Sequence, residues 1–227
     1  MKKPADARRL ARGMVAIGRA MNRPTVALLT EMNRPLGRAV GNAVEVAEAI
    51  DCLRGRGPAD LMEVTLALTA KMVVLGGLER GERAARARLR TALNSGAALA
   101  KFREVVAAQG GDPRVVDDVT RLPQAKRVVD VRGDRGGFVT DVDAMDIALA
   151  AMKLGAGRER IEDAVDPAVG LTGIVPAGTR VRAGDVLCRL HVGDERHLAA
   201  AHDLARGAFT IGPKKPVIRP LVREEIG

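Results

Sequence analysis

Apolar residues near the start of the chain recur at Leu10, Met14, Ile17 and Met21, a helical spacing, behind Pro4 and Asp6, which suit a first helical turn. Asn22-Arg23-Pro24 ends that pattern, and the run from Thr25 to Thr30 then predicts a buried strand. The spacing next predicts a helix over Val40 to Leu53, closed by Gly55-Arg56-Gly57-Pro58. A strongly apolar helix through Leu61, Val64, Leu68, Met72 and Leu75 follows. Its few charges imply enclosure on most sides. Helices are expected about Glu82 to Leu93 and about Ala97 to Gln109, and Asp112-Pro113 reads as the cap and first residue of a short one.

The pattern changes character near Pro123. Ala125 to Val131 alternates as a strand does, and the glycine-rich stretch Gly133 to Gly137 predicts a hairpin turn into Phe138-Val139-Thr140. Asp141 is placed to cap a helix over Val142 to Leu154, which Gly155 would end. Gly and β-branched residues dominate Val169 to Val192. A helix about Glu195 to Ala208 and a closing strand over Val217 to Arg223 complete the reading. The boundary near residue 123 predicts a mainly helical piece with one or more strands over 1–122 and a compact α+β domain over 123–227.

Composition narrows the function classes. An apolar fraction of 47% supplies a core, yet there are three Phe and no Trp or Tyr, so a base-stacking platform for single strands is excluded. The net charge of +9 is carried by arginines interleaved with acids, as in Arg80-Gly81-Glu82-Arg83, where a nucleic-acid surface would concentrate them. No nucleic-acid partner is expected. No apolar run is long enough to span a membrane, and none of signal-peptide length follows Lys2-Lys3. Cys52 and Cys188 are too few for a disulfide framework, which points to a reducing cytoplasm.

The stretch Asn33-Arg34-Pro35-Leu36-Gly37-Arg38-Ala39-Val40-Gly41-Asn42-Ala43-Val44-Glu45-Val46-Ala47-Glu48-Ala49-Ile50 reads as a kinked turn opening a helix that carries a carboxylate. It closely resembles a signature of the pyrimidine nucleoside phosphorylases, the family that includes thymidine phosphorylase. Gly137-Phe138-Val139, the helix after Asp143, Gly155-Ala156-Gly157-Arg158, Asp166-Pro167-Ala168-Val169-Gly170 and the Gly178 to Leu190 hairpin follow in that family's order. The resemblance covers nearly the whole chain. It implies an α/β fold class: a partial α/β phosphorylase large domain, then a C-terminal α+β domain with a hammerhead, barrel-sandwich-like half-barrel. The signature lies near mid-chain in the family and near the start here, so the chain is expected to be the C-terminal portion of a larger pentosyltransferase.

Enzymes of that family use phosphate to split the glycosidic bond of thymidine, deoxyuridine or uridine, yielding the free base and a sugar 1-phosphate. Their phosphate loop, Lys-His-Ser-Thr-Gly-Gly, and their Arg/Ser/Lys base-binding group lie in an N-terminal half whose motifs this sequence does not contain. No catalytic or substrate-binding residue is therefore assigned, and the isolated chain is expected to be inactive. The resemblance does imply a monovalent cation, potassium being the expected ion, at the carbonyls of Leu36 and Ala39 and the carboxylate of Glu48. The remaining ligands would come from the absent loop. Expected partners are pyrimidine nucleoside, phosphate and the missing N-terminal half. Family members pair largely through the absent helical region, so a homodimer stays open. A stand-alone binding module and one subunit of a split phosphorylase also stay open.

Other candidates have plainer readings. Asp141, Asp143 and Asp146 sit at a helix start, where capping and dipole roles outweigh a metal cluster. His191, His197 and His202 are too irregularly spaced for a helical zinc pair. The half-barrel pattern also resembles biotinyl and lipoyl carriers. However, Val175 to Val192 contains no Lys to carry a cofactor, so a swinging arm is excluded.

Overall fold

The computed structural model describes residues 3–158 and 160–227. They fold into two compact units that are interleaved along the chain. The first comprises the chain up to Glu31, Ala59–Ala97 and Arg219–Gly227. The second comprises Met32–Pro58 and Ala98–Ile218. The change of character at residue 123 lies within the second.

In the first unit, helix α1 (Pro4–Ala20) begins on Pro4 with Asp6 in its first turn, as the sequence predicts. Its C-terminus turns sharply because Asn22 takes a positive φ of 53°, and Gly18 lies so close to Thr25 that a Cβ would fall 2.1 Å from the hydroxyl oxygen. The buried side of α1 is therefore its small one: Ala11, Val15 and Gly18. The stripe Leu10, Met14, Ile17 and Met21 faces outward, at 51–67% exposure.

Strand β1 (Ala27–Thr30) is shorter than the expected run and half-buried, not buried. The reason is its sheet, which has two strands. β1 pairs antiparallel with β9 (Val222–Ile226), the closing strand, which starts later than predicted. Arg8 bonds to Glu224 and Arg223 to Glu31, tying this sheet to α1 and to its own edge.

Helix α3 (Ala59–Leu75) buries only Val64, Ala67 and Ala70, leaving Leu68, Met72 and Leu75 exposed. The expected enclosure is corrected: α3 packs mainly on α4 (Glu82–Asn94), whose buried residue is Ala85, and one helix covers one face. Lys71 joins Glu82 at 2.9 Å and Glu225 at 2.7 Å. The hydrogen bonds that Lys71 donates to both carboxylates, Glu225 first, raise its pKa above the usual ammonium value.

The second unit holds two antiparallel sheets. One runs β2 (Val40–Gly41), β5 (Gly170–Thr172), β7 (Val186–Val192), β3 (Arg127–Arg132). The other runs β6 (Arg180–Val181), β4 (Gly137–Val142), β8 (Phe209–Gly212). β2 interrupts the expected Val40 to Leu53 helix, which becomes α2 (Ala43–Leu53). The expected hairpin at Gly133 to Gly137 is also corrected. β3 and β4 belong to different sheets, and the loop between them is held by Gly133 N–H donating to Asp185 O at 3.0 Å and Gly184 N–H to Gly133 O at 2.8 Å.

Helix α6 (Ala144–Leu154) is capped by Asp143, not Asp141. The Asp143 carboxylate accepts the N–H groups of Met145 at 2.7 Å and Asp146 at 3.0 Å. Asp141 remains in β4 and meets Arg34 at 3.5 Å. Gly155, at φ 102°, ends α6 as predicted. Helix α5 (Ala97–Ala108) precedes a 3₁₀ turn at Pro113–Val116, capped by Asp112 as expected. Helix α7 (Leu198–Gly207) packs on α6.

Between these layers lies one continuous core including Ile147, Leu171, Ile174, Leu187, Leu190 and Phe209. Cys188 is part of it, and burial pushes its thiol pKa up to about 12, which fits a core residue rather than a nucleophile.

Candidate functional site

The signature stretch Asn33 to Ile50 is stitched along its length into the second unit. Asn33 O accepts from Ala144 N–H at 3.0 Å, and Arg38 O from Ile174 N–H at 3.1 Å. Val40 and Gly41 ladder onto Leu171 and Gly170. Asn42 Nδ2 donates to Ala156 O at 2.8 Å, and Ala43 N–H donates to Pro167 O at 3.0 Å. The irregular turn that opens this stretch thus has its shape fixed by backbone groups more than a hundred residues away.

The β2–β5 contact needs glycine on both sides. Gly41 and Gly170 have φ of 154° and 153°. A Cβ on Gly41 would lie 2.7 Å from Val169 O, and one on Gly170 would lie 2.5 Å from Val40 O. This contact sets where the turn at 36–39 ends and where α2 begins.

Glu48 lies on α2, and its Oε1 accepts the Arg38 N–H at 2.8 Å. That bond holds the carboxylate against the backbone of the turn. Arg38 Nη1 donates back to Gly37 O at 2.6 Å, tightening the same loop. Beside them opens a cleft of about 420 Å³ whose lining includes Arg38, Ala39, Glu48, Asp51, Arg56 and Thr172. Ala39 is buried and Leu36 half-buried. The cleft thus brings together Ala39 and Glu48, while Leu36 sits earlier in the turn and does not line it. The cleft mixes two guanidinium groups with two carboxylates.

As chemistry, the carbonyls of Leu36 and Ala39 and the carboxylate of Glu48 would make an all-oxygen set with a single negative charge. That set fits a hard monovalent cation, and it offers nothing to a soft metal. Among the described residues there is no group of three or more His, Cys, Asp or Glu placed to hold a metal ion.

His191 lies outside the site that the sequence suggests. It borders a second cleft, about 200 Å³, lined also by Ala43, Val44 and Ala47. Its Nε2 lies 2.8 Å from Thr172 Oγ1. Half-burial, and then the charge of Arg189, hold its pKa below the usual imidazole value. Only the β5–β7 register, which sets Gly170 opposite His191 and Leu171 opposite Leu190, brings it there. No local motif could have shown it.

Comparison with known proteins agrees with this architecture. Residues 5–99 match the glycosyl transferase family a/b domain, and residues 138–212 match the pyrimidine nucleoside phosphorylase C-terminal domain. The pyrimidine-nucleoside phosphorylases of Staphylococcus aureus strains USA300 and NCTC 8325 / PS 47 are each 46% identical over 191 residues. That region is 84% of this chain and 44% of each relative. The counterpart from the bovine strain RF122 / ET3-1 gives the same figures. The chain belongs to the pyrimidine nucleoside phosphorylase family, a family of pentosyltransferases, and spans somewhat under half the length of the relatives it matches.

Proposed function

We propose that this chain supplies the cation-binding turn and the C-terminal domain of a phosphorylase that cleaves pyrimidine nucleosides with phosphate. The phosphate- and base-binding groups would be supplied by polypeptide equivalent to the unmatched part of its relatives. The observation that carries this reading is the placement of Glu48, whose carboxylate is held at 2.8 Å from the Arg38 N–H, against the turn that contains Leu36 and Ala39. Leu36 and Ala39 would offer carbonyl oxygens and Glu48 a carboxylate to a potassium ion. The ion would supply a fixed positive charge beside the phosphate site.

In this reading the domain boundary falls near residue 123. The Gly178 to Leu190 segment forms the hammerhead half-barrel, a structural lid. Its support is the path of that segment, which contributes β6 to one sheet and β7 to the other. The enzyme would act in the cytoplasm. Among the described residues no helix is long and apolar enough to cross a membrane.

Phosphate-dependent release of thymine or uracil from the nucleoside tests the reading. The purified 227-residue chain is expected to release none alone, and release by the chain alone would overturn the assignment of catalysis to other residues. Activity reconstituted by adding polypeptide equivalent to the unmatched part of its relatives should fall when potassium is replaced by choline. Glu48→Gln should weaken it by about 10-fold with the potassium midpoint shifted upward, as loss of the one charged ligand requires. Activity indifferent to both changes would remove the cation from the account.

A further inference from the structure

Thr172 borders both clefts of the second unit, the larger one beside Glu48 and the smaller one beside His191. It is also the last residue of β5. On one side β5 pairs with β2, Gly170 with Gly41 and Leu171 with Val40. On the other it pairs with β7, where Thr172 faces Arg189. One more rung with β2 in that register would set Thr172 opposite Ala39, but β2 stops at Val40. Gly173 then takes a φ of 63°, and the next backbone bond is displaced, Ile174 N–H donating to Arg38 O at 3.1 Å.

Arg38 is thereby held by both of its backbone groups. Its N–H donates to Glu48 Oε1 at 2.8 Å, and its carbonyl accepts from Ile174. Two features bear on where Ile174 aims its N–H. The Ile174 side chain is buried at 2% exposure, which fixes the side chain but leaves the peptide before it free to turn about the Gly173 bonds. Thr172, on the near side of that glycine joint, fixes where the joint starts.

Thr172 is itself tied across the sheet. Its Oγ1 lies 2.8 Å from His191 Nε2, and both residues are half-buried. The two are diagonal neighbours on one face, because His191 stands directly opposite Gly170. Gly170 offers no side chain there, so the imidazole meets Thr172 instead. We propose that His191 is a positioning residue for the signature turn. Through Thr172 it sets the joint at Gly173, which aims Ile174 N–H at Arg38 and so holds the turn at 36–39 against Glu48, ready for a cation. The cation in this statement rests on the function proposed above.

The test uses two pairs of variants. Thr172→Val keeps the branched shape and removes the hydroxyl, whereas Thr172→Ser keeps the hydroxyl. His191→Leu removes the ring nitrogen, whereas His191→Gln returns a polar group near the Nε2 position. Amide hydrogen exchange is measured on the 227-residue chain. The Val and Leu variants should speed exchange at Arg38 and Ile174 by about 3- to 10-fold, the range of one lost neutral hydrogen bond, and leave Leu190 in β7 unchanged. Ser and Gln should restore the parent rates, and the Val–Leu double variant should be no worse than either single one. No change at Arg38 and Ile174 overturns the proposal. So does equal acceleration at Leu190, which would reduce the pair to general stability.

A second readout is the potassium midpoint for phosphate-dependent base release, with the chain combined with polypeptide equivalent to the unmatched part of its relatives. That midpoint should rise in the Val and Leu variants and return in Ser and Gln. A parent that needs potassium, with variants that leave its midpoint unmoved, also overturns the proposal. A parent indifferent to potassium, with amides that respond as expected, would sink the cation and leave the positioning role standing.

Discussion

The two units are built from similar residues and put them to opposite use. In the second, Ile147, Leu171 and Leu190 are fully buried among two sheets and two helices. In the first, Ile17, Met14 and Met72 are mostly exposed, and the interior is made of Ala11, Val15, Val64, Ala67, Ala70 and Ala85. Burial of large apolar side chains is the main favourable term in folding, at ~25 cal/mol per Å². The second unit draws that energy from large side chains, and the first draws it mainly from small and half-buried ones.

The largest effect expected of a single change falls at the glycine pair that joins the signature turn to the second unit. Gly170→Ala puts a Cβ 2.5 Å from Val40 O at a φ of 153°. It should cost about 4 kcal/mol or more, seen as loss of the main unfolding transition in denaturant. Next comes a matched pair that asks whether the two units differ as described. Ile147→Ala should destabilise by about 2–5 kcal/mol. Ile17→Ala, at 61% exposure, should change the stability of the isolated chain by no more than about 0.5 kcal/mol. Equal losses would erase the comparison.

The smallest effect concerns the Lys71 network that braces the first unit. Lys71→Met should cost under about 1 kcal/mol, as exposed ion pairs do. Its pH dependence has a defined sign. Hydrogen bonds from Lys71 and then Arg86 lower the Glu82 pKa, so its contribution is present above the ordinary carboxylate range and lost as pH falls through the lowered value. The raised Lys71 pKa makes its contribution complete at neutral pH and lost only as pH rises through the ammonium range. Thermal melts of the variant and parent should therefore converge at both extremes of pH.

Much of this was legible in the sequence because it was local. Pro4 opening α1, Asp112 capping the 3₁₀ turn and Gly155 ending α6 each follow from one residue's own backbone preference. The misreadings arose where distant strands decide. Val40 and Gly41 have helical neighbours yet become β2 because Gly170 and Leu171 come beside them. The Gly133 to Gly137 turn has the composition of a hairpin, but β7 and β8 claim β3 and β4 for different sheets. The apolar α1 stripe gave the helix correctly and could not say which side it faced, since Gly18 and Ala11, smaller residues, won the buried side through close approach. For the candidate site, the turn and Glu48 were visible as a resemblance, whereas the Arg38 hydrogen bond and the His191–Thr172 pair depend on tertiary register.

Native-state hydrogen exchange on the isolated chain tests the contrast between the units most directly. Amides of β7 and α6 should exchange only through global unfolding of the second unit. Those of β1 and α1 should exchange at least about 100-fold faster, through opening of the first. Protection in β1 and α1 equal to that in β7 and α6 would show that the first unit is complete as it stands and would contradict the account.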